Sequence, residues 1–561
     1  MKFTIRGKGD IILEPQKDFI WGGGEGDVYG KGNTVYKIYH DPKKMIPEGK
    51  MLELAQLERD NILRPLDTIM KGNQRVGFTM RRVRDTFALC RLFVADFCLT
   101  NNISNEAIIK LIEKIKETIG FIHSKQCLIV DGNEFNYLVS HDFKIPYFID
   151  VDSYQTKNSY PATAIMESIR DWHCKKFTEL SDWFAFAIIA CQLFAKVHPF
   201  KGKRNDCPDS LEERMKRNLS IFNAGTRLTA GVKAHMQHIP ASYRDWFIAL
   251  FEQGTRTLPP DLIASIGHIV KHTIQGSNAF EINEIFKASE QIFYYAYCYG
   301  FPVIKTEHEI ITSKRSFKGA RDTEVLIGHQ QLTPVLASIE NKKLKLEAGG
   351  IPVLPLDLDC TEKMVIDDTL YVKNEGNLIE MFIDDRGPKI IPSIKMVWNI
   401  MPNSSTLFSG VVYENILGKP FLVIPKPVHS GNSLCYIMPV KELEGYRIVS
   451  AKHDNGVCIL IGHKKTYDRI ILKFAENYTS YTCKIVRDVD TQMVNFVTLD
   501  NGIVILLYGD TIEVFSKAPN NPNSNIIEDT GLTDVKLTKN GNQALFIKED
   551  KVFSFSMKKR T

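Results

Sequence analysis

At about 150 residues per domain, the 561-residue chain is long enough for two to four domains. Its 44% hydrophobic, 24% charged and 10% aromatic content excludes a collagen-like, disordered or disulfide-dense protein. A net charge of +5, from 71 basic and 66 acidic residues, is too small to make nucleic acid or a membrane surface the main partner. Eleven cysteines occur without a single C-x-x-C pair, so free thiols in a reducing compartment are expected. The opening residues Met1–Lys8 lack the apolar core of a signal peptide, and no run approaches the roughly 18 apolar residues of a membrane span. A soluble, cytoplasmic protein is the expectation.

Residues 1–90 read as short strands with glycine turns, broken by one helical stretch near 45–58. A helix is predicted over 104–122, where Ile108, Leu111, Ile112, Ile115, Ile119 and Ile122 share one 3.6-period face and Ser104 is the N-cap. Further helices are expected at 181–196, 211–223 and across 241–274. From about residue 285 helical periodicity stops, and β-rich runs such as Val457–Ile461, Ile503–Tyr508 and Gln543–Ile547 alternate with Asn-Gly turns. Hairpin-sized spacing sustained to the end of the chain argues for a large all-β unit. At about 40–45 residues per blade a six- or seven-bladed β-propeller is favoured, with a double β-sandwich as the alternative. The histidines of this part, His329, His429, His453 and His463, are isolated and read as ordinary surface or core residues.

Chemistry concentrates in the first 270 or so residues. Trp21-Gly22-Gly23-Gly24-Glu25-Gly26-Asp27-Val28-Tyr29 is a glycine-rich turn of the kind that lets backbone N–H groups approach phosphates, although a plain flexible hairpin has the same composition. No Gly-Lys-Ser/Thr follows, so it is not a Walker A loop, and a strand rather than a helix comes next. That strand, Thr34–Tyr39, carries Lys37 within an apolar alternation, where a lysine either snorkels at an edge or points at an anion. Then comes Phe121-Ile122-His123-Ser124-Lys125-Gln126-Cys127-Leu128-Ile129-Val130-Asp131-Gly132-Asn133-Glu134-Phe135-Asn136, and fourteen residues on Ile149-Asp150-Val151-Asp152.

These segments resemble protein kinases, with Asp131 and Asn136 at the D-x-x-x-x-N spacing of the family's catalytic loop and Asp150 where kinases carry D-F-G. The helix containing Ser181-Asp182-Trp183, followed by Pro199-Phe200-Lys201-Gly202, resembles the buried helix of the larger kinase lobe, in which the residue matching Asp182 anchors the catalytic loop. Arg256 matches the late arginine that pairs with the glutamate of A-P-E, for which Glu167 is the expected counterpart. The resemblance implies an α+β bilobal kinase-like domain over 1–276, and the strand spacing beyond it an all-β, propeller-like domain over 277–561.

It further implies that ATP lies under Gly22, Gly23, Gly24 and Gly26 against Val28, Val35 and Met80, with Lys37 on its phosphates. Asn136 and Asp150 would hold Mg²⁺, with Asp152 as a second or alternative ligand, and Asp131 would take the proton of a protein hydroxyl. The helical glutamate that pairs with Lys37 is expected at Glu53, although counting back from Asn61-Ile62-Leu63 lands on Lys50, with Glu48 outside the register. Departures are Trp21 for the first loop glycine, Ile129-Val130 for His-Arg, Asn133 for lysine and Val151-Asp152 for Phe-Gly. The implied function is transfer of the γ-phosphate of ATP to a protein, Ser/Thr favoured, with the β-domain docking a substrate or partner through protein–protein contacts. A pseudokinase scaffold and a small-molecule phosphotransferase of the aminoglycoside-kinase type are the alternatives.

Overall fold

The computed structural model describes residues 1–157, 162, 165–207, 210–261, 280–298, 301–312, 316–319, 323–328, 330–428, 431–490, 493–528, 530–532 and 535–557. The chain divides into two compact units, Met1–Cys98 with Ile103–Lys271, and Leu99–Asn102 with His272–Thr561. The expected boundary at 276/277 lies outside the described residues, as do His329 and His429.

In the first unit, seven strands form one sheet: β1 (Lys2–Ile5), β2 (Gly9–Ile12), β3 (Phe19–Gly22), β4 (Gly26–Lys31), β5 (Thr34–Tyr39), β6 (Thr68–Lys71) and β7 (Gln74–Arg81), in the order β2-β1-β6-β7-β5-β4-β3. A short helix α1 (Glu48–Leu54) lies between β5 and β6. A three-stranded sheet follows, with β9 (Tyr137–Ser140) between β8 (Thr86–Ala88) and β10 (Pro146–Phe148).

Two longer helices carry much of the buried apolar surface of this unit; they pack on each other, and the first also packs against β10. Helix α2 (Asn105–Ser124) buries Ile108, Leu111, Ile112, Ile115, Ile119 and Ile122, and the Ser104 hydroxyl accepts the Ala107 N–H at 3.2 Å as its N-cap. Helix α3 (Glu179–Ala195) is buried at every position from Ser181 to Ala195, as a helix apolar all round must be. Its first turn is closed by the Thr178–Ser181 capping box.

The later helices are shorter than the sequence pattern suggests. Helix α4 (Leu211–Lys216) stops because Asn218 turns left-handed at φ +54°, and Leu219 N–H reaches back to Arg214 O at 2.9 Å. Helix α5 (Ala230–Met236), capped by Thr229, was not expected. Helix α6 (Ala241–Phe251) ends because Gly254 turns left-handed at φ +70° and Pro259-Pro260 cannot continue a helix; the part of the expected 241–274 helix from 262 on lies outside the described residues.

Among the described residues from Phe280 on, the second unit contains only β-sheet and turns apart from one short 3₁₀ turn. Among the described residues seven antiparallel sheets follow one another. Six lie within 294–318, 324–347, 362–399, 405–439, 447–486 and 495–527, with four strands each except for three in the second. The seventh combines Phe280–Lys287, the first described strand of the unit, with its last three described strands, Lys536–Asn540, Gln543–Lys548 and Lys551–Met557. Apolar residues of neighbouring sheets pack together, as where Tyr413 and Leu422 meet Leu460 and Leu472. Among the described residues no helix is long and apolar enough to cross a membrane.

Candidate functional site

The register of the first sheet decides which side chains share a face. Val28 pairs with Lys37 and Lys37 with Phe78, while Gly30 pairs with Val35 and Val35 with Met80. Directly paired residues, and residues two apart on one strand, point the same way. Val28, Val35, Lys37 and Met80 therefore lie on one face. The β3–β4 hairpin closes through Gly23 N–H to Gly26 O at 2.9 Å.

The four glycines of this hairpin are not equivalent. A Cβ on Gly26 would sit 2.3 Å from the carbonyl oxygen of Ile38, so the close passage of β5 requires glycine there. A Cβ on Gly22 would meet Asp27 Oδ1 at 3.0 Å, one on Gly23 would make only an ordinary contact, and one on Gly24 would meet nothing.

Lys37 Nζ lies 3.0 Å from Asp150 Oδ1 and 2.6 Å from Asp152 Oδ2. Tyr39, two residues along the same strand, donates its hydroxyl to the same Asp152 oxygen at 2.7 Å. Burial alone would lower the lysine's pKa, but Asp152 and then Asp150 outweigh it and hold the ammonium well above its ordinary range. The Lys37–Glu53 pairing is corrected: the carboxylates bonded to the Lys37 ammonium are Asp150 and Asp152 of the 150–152 turn, and Glu53 is not among them. On α1 it is Lys50 that is buried and lies within electrostatic reach of Asp152 and Asp150, its pKa lowered chiefly by burial. Glu25, at the hairpin tip, is half-buried; burial raises its pKa, and Lys37, Asp152 and Asp150 are within electrostatic reach of it. A third carboxylate above the site had no signal in the sequence beyond its place among glycines.

The Asp131–Asn136 loop is fixed from below. Asp182 Oδ2 accepts the Ile129 N–H at 2.8 Å and Oδ1 the Val130 N–H at 2.9 Å, while His123 Nε2 lies 2.9 Å from Oδ2. Those bonds hold Val130 at φ +64°, a conformation that β-branched residues strongly disfavour. Within the loop Asn136 Nδ2 donates to Asp131 O at 2.8 Å, and Ile149 N–H donates to Asn136 O at 3.0 Å, which brings the residue before Asp150 onto the loop. Asp131 Oδ1 accepts the Met166 N–H at 2.9 Å, which fixes the carboxylate's direction. Asp150 is itself left-handed at φ +58° and precedes the 3₁₀ turn Val151–Ser153.

Arg256 also differs from expectation. Its guanidinium grips Asp171, with Nε to Oδ2 at 2.7 Å and Nη2 to Oδ1 at 2.8 Å, rather than Glu167, which is exposed. Burial would raise the pKa of Asp171, but Arg256 outweighs it and keeps the carboxyl below its ordinary range. The Asp171 side chain is buried, and a planar bidentate fit favours it over the exposed glutamate.

The oxygens Asn136 Oδ1 and Asp150 Oδ2 have no protein donor among the described residues. No group of three histidine, cysteine or carboxylate side chains able to hold a metal occurs among those residues. Mg²⁺ needs none: it is commonly bound by one or two protein oxygens completed by water and phosphate, so the Asn136–Asp150 donor set fits it. Asp152 fits less well, since its side chain is 2% exposed against 38% for Asp150.

No family model matches the chain. Nor does any curated protein match it. Among solved structures it is similar to the kinase PK-1 of Cydia pomonella granulovirus, at 13% identity over 42% of this chain and 86% of that one, with a TM-score of 0.32. At that score the two share too little of their course for the likeness to decide the fold.

Proposed function

We propose that residues 1–276 form a protein kinase-like domain that transfers the γ-phosphate of ATP to a protein hydroxyl, with serine or threonine favoured. The observation that carries this reading is the convergence of Lys37 from β5 on Asp150, 113 residues later, while the same turn is bonded through Ile149 to the Asp131–Asn136 loop. One basic group, one fixed carboxylate and one oxygen pair are the parts phosphoryl transfer requires.

The roles follow from these positions. Val28, Val35 and Met80 offer an apolar face for the base, and the hairpin Gly22–Gly26 offers backbone N–H groups to the phosphates. Lys37 neutralises phosphate charge. Asp131, held by Met166 N–H, orients the acceptor hydroxyl and takes its proton as the oxygen attacks phosphorus. Asn136 and Asp150 would hold Mg²⁺, which when bound neutralises charge on the phosphate oxygens. Positioning and charge neutralisation account for the rate, with no covalent enzyme intermediate needed.

For residues 277–561 we propose a closed seven-bladed β-propeller that docks the protein substrate or a partner. Support comes from seven successive small sheets and from the pairing of the unit's first described strand, Phe280–Lys287, with its last, Lys551–Met557, which ties the two ends into one sheet. The docking role rests on the general use of rigid propellers as platforms.

The test is incubation with Mg²⁺ and γ-labelled ATP alongside generic protein substrates and, separately, aminoglycosides and sugars. Label on protein serine or threonine supports the reading. Label on a small molecule favours the aminoglycoside-kinase type, and nucleotide binding without transfer favours a scaffold.

A further inference from the structure

Lys37 stands mid-strand on a flexible four-carbon stem, so its usefulness depends on what fixes the ammonium. Asp152 is the group best placed to do so. It makes the shorter of the two contacts, 2.6 Å against 3.0 Å, and is nearly inaccessible where Asp150 is partly open. The oxygen that meets Lys37 also accepts the Tyr39 hydroxyl, so β5 grips Asp152 at two points spaced one sheet repeat apart. The turn behind it is tied as well: Ser153 Oγ donates to Asp150 O at 2.7 Å and Tyr154 N–H to Val151 O at 3.2 Å. The other oxygen, Asp152 Oδ1, is buried with no hydrogen-bond partner, and the Val151–Ser153 turn packs against α1, on which Lys50 is buried.

We propose that Asp152 positions Lys37 in place of a helical glutamate, and that Lys50, standing on α1 where that glutamate would be, balances the extra carboxylate that the 150–152 turn brings in. This rests on the kinase reading above. Asp152 is a positioning residue: it touches no substrate and acts through the lysine. It leaves Asp150, the more open of the two, to face the nucleotide. A consequence is that the lysine is set by the same turn that carries Asp150, so its placement does not depend on a carboxylate delivered by α1.

The experiment measures steady-state label transfer and ATP dependence in the full chain for wild type, Asp152→Asn, Tyr39→Phe, Glu53→Gln and the double variant Asp152→Asn/Lys50→Glu. Circular dichroism checks that each is folded. Misplacing a group in a reacting complex costs on the order of 100-fold, so Asp152→Asn should lose about that much in kcat with little change in KM. Tyr39→Phe keeps the carboxylate and should lose less, which preserves the test if Asp152→Asn does not fold. Glu53→Gln should match wild type. Returning a carboxylate to α1 through Lys50→Glu should restore about tenfold of the Asp152→Asn loss, a rescue that mere stabilisation by Asp152 would not give. Wild-type rates in folded Asp152→Asn, equal damage from Glu53→Gln, or no rescue in the folded double variant would overturn the inference while leaving the kinase reading intact. A wild-type protein that neither binds Mg-ATP nor transfers phosphate would overturn both.

Discussion

Asp182 and Val130 are joined by a 2.9 Å bond from the Val130 N–H to Oδ1, and that bond holds a β-branched residue at φ +64°. The neighbouring Ile129 N–H and the His123 ring occupy the other oxygen of the same carboxylate, which is almost wholly buried. The loop carrying Asp131 therefore keeps its course because of a helix about fifty residues later in the chain.

Replacing Asp182 by alanine leaves two buried N–H groups and an imidazole nitrogen without their acceptor. At roughly 1–3 kcal/mol for each orphaned group, Asp182→Ala should destabilise the N-terminal unit by at least about 3 kcal/mol. Chemical denaturation followed by tryptophan fluorescence would show this as an earlier transition. A variant as stable as wild type would contradict the anchoring role.

The hairpin glycines separate conformational need from open space. Gly26→Ala drives a methyl group to 2.3 Å from the Ile38 carbonyl, an overlap with backbone that should cost about 1–3 kcal/mol and loosen the hairpin. Gly24→Ala meets nothing and should be neutral or stabilise by up to about 1 kcal/mol. Thermal melts of the two variants would compare them directly. Equal effects would contradict the close β4–β5 passage.

His198 gives the N-terminal unit a pH dependence with a definite sign. Nε2 lies 2.9 Å from the Ser168 carbonyl and so carries the proton, while Nδ1 accepts the Phe200 N–H at 3.2 Å. A second proton would have to displace that donor, and burial lowers the ring's pKa to about 3 from an ordinary 6.5. The unfolded chain thus binds a proton that the folded chain refuses. Stability is complete above pH 6.5 and is lost as pH falls from there toward about 3. The loss amounts to as much as about 1.4 kcal/mol per pH unit from this one group. Denaturation midpoints between pH 7.5 and 4.5 should fall less steeply in His198→Gln than in wild type. Identical slopes would contradict a neutral buried imidazole.

Much of this was legible in the sequence, for reasons that differ by element. The six apolar positions of α2 and its Ser104 cap carry a local 3.6-residue signal, and the observed helix follows it. The seven small sheets of the second unit are fixed by which strands pair, and the union of Phe280–Lys287 with Lys551–Met557 leaves no trace in local composition. In the site, the spacing of Asp131 and Asn136 is local and readable. The partners of Lys37 and Arg256 are not, because several carboxylates stand within a few residues of each expected place. Tertiary packing chose Asp152 over Glu53 and Asp171 over Glu167. Neither Glu53 nor Glu167 is buried as Asp152 and Asp171 are.

The most direct measurement of the central claim is single-turnover phosphoryl transfer from γ-labelled ATP in the presence of Mg²⁺. Wild type is compared with Asp131→Ala and Asp150→Ala, and nucleotide affinity is determined on the same samples by calorimetry. The kinase account predicts label transferred to protein by wild type, loss of at least about 100-fold in both variants, nucleotide affinity kept in Asp131→Ala and weakened in Asp150→Ala. Transfer that persists unchanged in either folded variant, or a wild type that binds Mg-ATP and transfers nothing, would contradict it.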